Sequence, residues 1–247
     1  MWDDARQLDA IAKGLVLLSV AALLWTAVAW AARQPMFAFR EVVVRGALER
    51  VDAAQLDSVV RRELAGTFFT MSLEGARASI ERLSWVRTVS LRRQWPQRLE
   101  VTIEEHVPFG RWNDRALVDT FGSVFVAEYD GVLPQFAGPA DRAADVAARY
   151  REARAALGPL GLDVDAVRLS ARGGWQISAK SASSRLAIEL GRDEPAAQLE
   201  RFVGAYDRTI AALARAGTRI EHVDLRYRNG FAARVPGFRE RAPKKSA

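Results

Sequence analysis

The 247-residue chain contains no cysteine, so no disulfide can staple it. That absence fits an exported domain and a cytosolic one equally, and it removes the thiolates of a Cys-rich zinc site. Histidine is nearly absent too. His106 and His222 lie far apart, each in a strand-like stretch, and no His-Glu-x-x-His run occurs. A zinc centre and a histidine general base are therefore not expected. Glu104 and Glu105 are adjacent in an alternating segment, which turns them to opposite faces and excludes a paired-carboxylate site. There is no glycine-rich phosphate loop either, since Gly173-Gly174 suits a hairpin and lacks nucleotide signatures. The net charge of +6 comes from arginines scattered among acids. No helix-turn-helix, aromatic-basic platform or zinc finger turns that charge into a nucleic-acid surface. The composition predicts no enzyme, no catalytic residue, no metal, no cofactor, no small-molecule substrate and no nucleic acid partner.

Long uncharged runs are missing as well, with one exception. Residues 14–32 carry no charge, and only Ser19 and Thr26 interrupt the apolar and small side chains. At about 1.5 Å per residue a helix of that length spans roughly 28 Å, close to the ~30 Å hydrocarbon core of a bilayer. A buried core helix would be shorter and would keep one polar stripe. A cleaved signal peptide is the stronger rival, because Lys13 precedes the run and Ala27-Val28-Ala29 has the small-x-small form of a cleavage site. The length of the run, with Trp25 and Trp30 near its end, favours an uncleaved anchor. Flanking charge does not orient it. Arg6 and Lys13 precede the span while Arg33, Arg40, Arg45 and Arg50 follow, and long domains translocate largely regardless of such charges.

Residues 37–103 carry a legible order of elements. A strand at 39–45 ends at Gly46. A helix follows with Asp52 as N-cap, Leu56, Val59, Val60 and Leu64 on one face, and Gly66 as its stop. Ser72 caps a second helix that presents Leu73, Ala76, Ile80 and Leu83. The period then becomes two, with a strand around Val89 and Leu91, a turn at Trp95-Pro96, and alternation through Leu99, Val101 and Ile103. The predicted order is β-α-α-β-β.

That order, directly after one anchor, resembles the POTRA domain of the FtsQ/DivIB family of bacterial cell-division proteins. The residues carrying the resemblance are Trp85-Val86, Arg93-Gln94-Trp95-Pro96, and Leu99-Glu100-Val101-Thr102-Ile103-Glu104-Glu105, leading to Pro108 and Trp112.

Beyond Phe109 the chain reads as short strands. A hairpin is expected over 115–127 around Phe121-Gly122, then a Gly- and Pro-rich connection at 131–139, then a helix after Asp141. Strands are expected at 166–171, 175–179 and 185–190. One long helix is predicted over 194–216, with Leu199, Phe202, Val203, Tyr206, Ile210 and Leu213 on its apolar face and Gly217 as its stop. Two last strands, 220–227 and 231–235, would be joined at Asn229-Gly230. This half is similar to the β domain that follows POTRA in the same family. It matches at Ala171-Arg172 with Trp175-Gln176, at Leu190-Gly191-Arg192, and most of all at Val223-Asp224-Leu225-Arg226-Tyr227 with Asn229-Gly230-Phe231-Ala232.

The fold class expected is α+β: a single N-terminal transmembrane helix, a POTRA domain, and a mainly antiparallel β domain with flanking helices. The boundaries are 1–13 for a cytoplasmic N-terminus, 14–32 for the span, 37–106 for POTRA, 107–235 for the β domain and 236–247 for a disordered tail. The resemblance implies an inner-membrane, single-pass scaffold of the divisome at the septum, with its C-terminal domains in the periplasm. It would link cytoplasmic and periplasmic components, help control septal peptidoglycan synthesis, and bind the FtsB/FtsL pair by strand addition at its last strand. Tyr227, Asn229, Gly230, Phe231 and, more distantly, Arg172 are the partner-binding candidates. Asn229-Gly230 also reads as a simple hairpin turn, and Phe231 as a core residue. Other divisome membrane proteins are further expected partners, and residues 14–32 meet inner-membrane lipid. The alternatives are a POTRA-containing periplasmic protein of outer-membrane assembly or secretion, for which no barrel-forming series of strands is present, and a cleaved periplasmic binding protein.

Overall fold

The computed structural model describes residues 5–63, 67–181, 184–227 and 230–235. Leu64, Gly66, Asn229 and the expected tail at 236–247 lie outside the described residues. The chain divides into two compact units, Met1–His106 and Val107–Ala247.

The first unit opens with helix α1 (Ala5–Ala32). It starts well before the uncharged run, because Asp9 and Lys13 pair one turn apart at 2.7 Å and extend the helix through the charged residues. Its Asp9–Ala32 stretch is long and apolar enough to cross a membrane, and none of it is buried within the protein. Trp25 is 75% exposed. The helix is therefore no core helix, since its large side chains have no protein interior to enter.

A three-stranded sheet with two helices follows: β1 (Glu41–Arg45), α2 (Ala53–Glu63), α3 (Leu73–Ile80), β2 (Val86–Gln94) and β3 (Arg98–Glu105). Strand β3 is central, parallel to β1 and antiparallel to β2. Leu99, Val101 and Ile103 from β3 share one core with Leu56 and Val60 from α2 and Ala76 and Ile80 from α3. The helix starts are capped by side chains. Asp52 Oδ1 accepts from the Ala54 N–H at 2.9 Å, and Ser72 Oγ accepts from the Gly75 N–H at 3.1 Å. Gly46 leaves β1 at φ +130°, and a Cβ there would lie 2.3 Å from the Ile103 carbonyl oxygen. Only glycine fits that turn. The two neighbouring glutamates do separate work. The Glu105 carboxylate accepts from the N–H groups of Glu49, Arg50 and Val51, at 2.8 Å for Val51, while Glu104 pairs with Arg87.

The second unit is one nine-stranded sheet with helices. Its strands are β4 (Pro108–Trp112), β5 (Ala116–Asp119), β6 (Val124–Phe125), β7 (Gln135–Ala137), β8 (Asp163–Leu169), β9 (Trp175–Lys180), β10 (Arg185–Leu190), β11 (His222–Asp224) and β12 (Ala232–Arg234). The spatial order is β12-β11-β10-β9-β8-β7-β4-β5-β6. Five pairings are antiparallel, and three, β10-β11, β4-β7 and β7-β8, are parallel. Helix α4 (Ala143–Leu157) and helix α5 (Pro195–Tyr206) supply Val146, Leu157, Leu199 and Phe202 to the same core as Ile177, Ile188 and Val223.

Four elements differ from the sequence expectation. The last two strands are short, β11 at 222–224 where 220–227 was expected, which leaves Tyr227 outside it, and β12 at 232–234 where 231–235 was expected. The Gly- and Pro-rich passage contains β7, because Phe136 is 1% exposed and fills the space over Gly110, where a Cβ would meet its ring at 2.3 Å. The single helix expected over 194–216 is two, α5 and α6 (Ile210–Arg215). Thr209 breaks it. Its Oγ1 donates to the Ala205 carbonyl at 2.7 Å, and its backbone adopts φ −118°, ψ −83°. The bend lets Ile210 reach the core at 5% exposure, whereas Leu213, placed on the buried face by the sequence pattern, is 40% exposed.

Candidate functional site

The last described strand lies at the edge of the large sheet. β12 pairs antiparallel with β11, Val223 opposite Ala233, and among the described residues no strand covers its other side. Ala232, Ala233 and Arg234 are all exposed. Such a row of open N–H and C=O groups is a template for another extended segment.

The chain reaches this edge through a short detour. The Leu225 N–H donates to the Glu189 carbonyl at 2.8 Å, which extends the β11 ladder by one residue, and Leu225 is buried. Asp224 then turns the chain outward. Its Oδ1 accepts from the Arg226 backbone N–H at 3.0 Å and from Arg226 Nε at 2.8 Å, while its Oδ2 accepts from Nη2 at 2.6 Å. Arg226 also lies 3.4 Å from Glu189 Oε2, and His222 lies 3.8 Å from Glu189 Oε1. The Arg226 hydrogen bond and charge hold the Asp224 carboxyl below its ordinary range against the opposing effect of burial. The same hydrogen bond and charge raise the Arg226 guanidinium.

Tyr227, next in the chain, is 58% exposed. Gly230 is exposed, with nothing near the place of a Cβ. Phe231 turns inward and meets Phe202 edge-on, ring centroids 5.7 Å apart. Beside it Gln198, Arg201, Phe202, Ala205, Leu225, Gly230 and Phe231 line a shallow cavity of about 180 Å³. Phe231 is thus half core and half cavity wall.

Arg172 is exposed in the β8–β9 hairpin, where Gly173 takes φ +86° and the Ser170 N–H bonds the Gly174 carbonyl at 2.8 Å. The register puts that hairpin at the same end of the sheet as Tyr227, because Trp175 faces Leu190 and Glu189 faces Asp224. Two strand spacings, roughly 10 Å, lie between β9 and β11. Arg192 folds across the hairpin and donates to the Arg172 carbonyl, Nε at 3.0 Å and Nη2 at 2.5 Å. Four candidates therefore share one end of the sheet, and Asn229 is outside the described residues. Sequence reasoning missed the roles of Asp224, Arg226 and Glu189, and it missed the cavity under Phe231. The Asp-x-Arg spacing of residues 224 and 226 was the available signal for the turn.

Among the described residues no group of three or more His, Asp or Glu could hold a metal ion. What the geometry offers is an open strand edge with an exposed aromatic and a small cavity.

One candidate membrane span among the described residues, a β-α-α-β-β module and a mixed β domain with an open edge strand define a POTRA-bearing protein. The POTRA domain of the FtsQ type matches residues 37–106, and the C-terminal region of the cell division protein FtsQ/DivIB matches residues 110–226. Cell division protein FtsQ of Nitrosospira multiformis is 38% identical over 239 residues, covering 95% of this chain and 99% of the relative. That of Burkholderia pseudomallei is 37% identical, covering 97% and 96%. That of Bordetella pertussis is 33% identical, covering 94% and 92%. The chain belongs to the FtsQ family of cell division proteins. The apolar α1 and this family together fit an inner-membrane protein.

Proposed function

We propose that the protein is a non-catalytic division scaffold of the inner membrane that binds the FtsB/FtsL pair by strand addition on β12. Residues 1–13 are cytoplasmic and 14–32 span the bilayer. The POTRA domain (37–106) and the β domain (107–235) are periplasmic, at the division septum. In this arrangement the protein links cytoplasmic to periplasmic components and helps control septal peptidoglycan synthesis. The observation that carries the reading is the open, exposed edge of β12 beside an outward-facing Tyr227.

Magnitudes assign the roles. Alternate residues turn their N–H and C=O to opposite edges, so the three residues of β12 give at most about four main-chain hydrogen bonds, each ~0.5 to 1.5 kcal/mol net, which is short of the ~8 kcal/mol of a micromolar complex. Side chains supply the remainder. Tyr227 offers a large contact at low entropic cost, Gly230 and Phe231 border the cavity that receives a partner side chain, and Arg172 contributes charge further along the sheet end, with Asn229 a further candidate for partner binding. The anchor raises the effective concentration of other membrane-tethered chains at this edge.

The test is amide hydrogen exchange of the full-length protein in lipid nanodiscs, with and without an FtsB segment. Strand addition predicts slowed exchange confined to residues 230–235 and their neighbours in β11. Unchanged exchange there at saturating segment contradicts it.

A further inference from the structure

Three large apolar side chains stand exposed where α1 delivers the chain into the POTRA module: Met36 at 64%, Phe69 at 51% and Trp95 at 69%. They come from three separate segments that the structure ties together. The Thr67 hydroxyl donates to the carbonyl of Ala32, the last residue of α1, at 2.6 Å. The Phe68 N–H donates to the Phe37 carbonyl at 2.7 Å, and Gln97 Nε2 donates to the Met36 carbonyl. Rings bridge the same ground. Phe37 meets Phe69 at 5.2 Å, Phe69 meets Phe68 at 5.4 Å, and Phe68 meets Trp95 at 5.6 Å, all edge-on.

The sheet register puts this cluster at one end of the module. Arg98 and Gln94 flank the Trp95 hairpin, and Arg98 also faces Glu41 at the start of β1. The opposite end, where Val86 faces Glu105, is seven residues away along β3, about 23 Å. The exposed aromatics thus gather on the side of the module that holds the end of the anchor. Arg33 and Arg40, both exposed, flank them.

An exposed apolar patch that is continuous with a membrane span has a natural occupant. Tryptophan suits the headgroup layer, where its ring leaves water and its N–H stays wet, phenylalanine and methionine gain by leaving water there, and arginines meet lipid phosphates at the same depth. We propose that Met36, Phe69 and Trp95 form an interfacial foot that enters the headgroup layer of the bilayer crossed by α1. The POTRA module is then held against the membrane in a set orientation instead of swinging on a tether. The proposal rests on α1 spanning the bilayer, and it is independent of any partner at β12.

The absence of native cysteine allows a direct test. Single variants Leu24→Cys, Glu49→Cys, Phe69→Cys and Trp95→Cys of the full-length protein carry a solvatochromic fluorophore in phosphatidylethanolamine/phosphatidylglycerol vesicles containing a headgroup-region spin-labelled lipid. Labels at 69 and 95 should shift to the blue and be quenched, and the label at 49, at the opposite end of the module, should do neither. If 69 and 95 behave like 49 while 24 is quenched or blue-shifted, the foot is overturned and the span stands. If 24 stays in water, the span fails and the foot fails with it. The unlabelled protein gives a second reading that keeps an aromatic ring in place: brominated lipid should quench native fluorescence by a component that Trp95→Phe lacks. Equal quenching of both overturns the proposal.

Discussion

The Arg226 guanidinium forks back onto the Asp224 carboxylate, Nε to Oδ1 at 2.8 Å and Nη2 to Oδ2 at 2.6 Å. This clamp turns the chain out of β11 directly before Tyr227. Because the folded-state pKa of Asp224 lies below its unfolded value, its stabilisation is complete above pH ~4 and is lost as pH falls through the lower folded value. Asp224→Asn should lower Tm at pH 7, and the gap to the native protein should close as the pH is taken below ~4. A gap that stays constant over pH 2 to 7 contradicts the clamp.

Phe231 and Tyr227 should separate in a stability measurement. Phe231→Ala removes an edge-on contact with the fully buried Phe202 and should cost roughly 1–2 kcal/mol in denaturant unfolding of the β domain. Tyr227→Ala, at an exposed position, should stay within ~0.5 kcal/mol.

Gly46→Ala should destabilise the POTRA module by roughly 2–3 kcal/mol. The added Cβ meets the Ile103 carbonyl at 2.3 Å, and φ is +130°. Native-like unfolding of this variant would contradict the turn geometry.

Glu105→Ala leaves the N–H groups of Glu49, Arg50 and Val51 without their carboxylate. The expected loss is about 1–3 kcal/mol, read as a lower Tm. Glu104→Ala, on the opposite face and about half exposed, should cost less than ~1 kcal/mol.

The POTRA elements were legible because each announces itself locally. Asp52 and Ser72 cap their helices, and Leu99, Val101 and Ile103 alternate over a strand long enough to show the period. β7 was not legible, since three residues carry no period and its stability comes from parallel neighbours on both sides. The break at Thr209 was hidden for a different reason: the apolar pattern runs through it, and only the threonine hydroxyl competing for the Ala205 carbonyl ends the helix. At the site, the run from Val223 to Tyr227 was readable by resemblance. The contact of Arg226 with Glu189 and the cavity between Phe202 and Phe231 depend on strands and helices distant in sequence, which no local pattern encodes.

The central claim is that the open edge beside Tyr227 binds a partner strand. The most direct measurement is the affinity of an FtsB segment for the full-length protein and for its Tyr227→Ala variant, with Tm recorded for both. The account predicts an unchanged Tm and binding weaker by roughly 1 to 3 kcal/mol, about fivefold to 150-fold in Kd. Equal affinity in a variant of native Tm would contradict it.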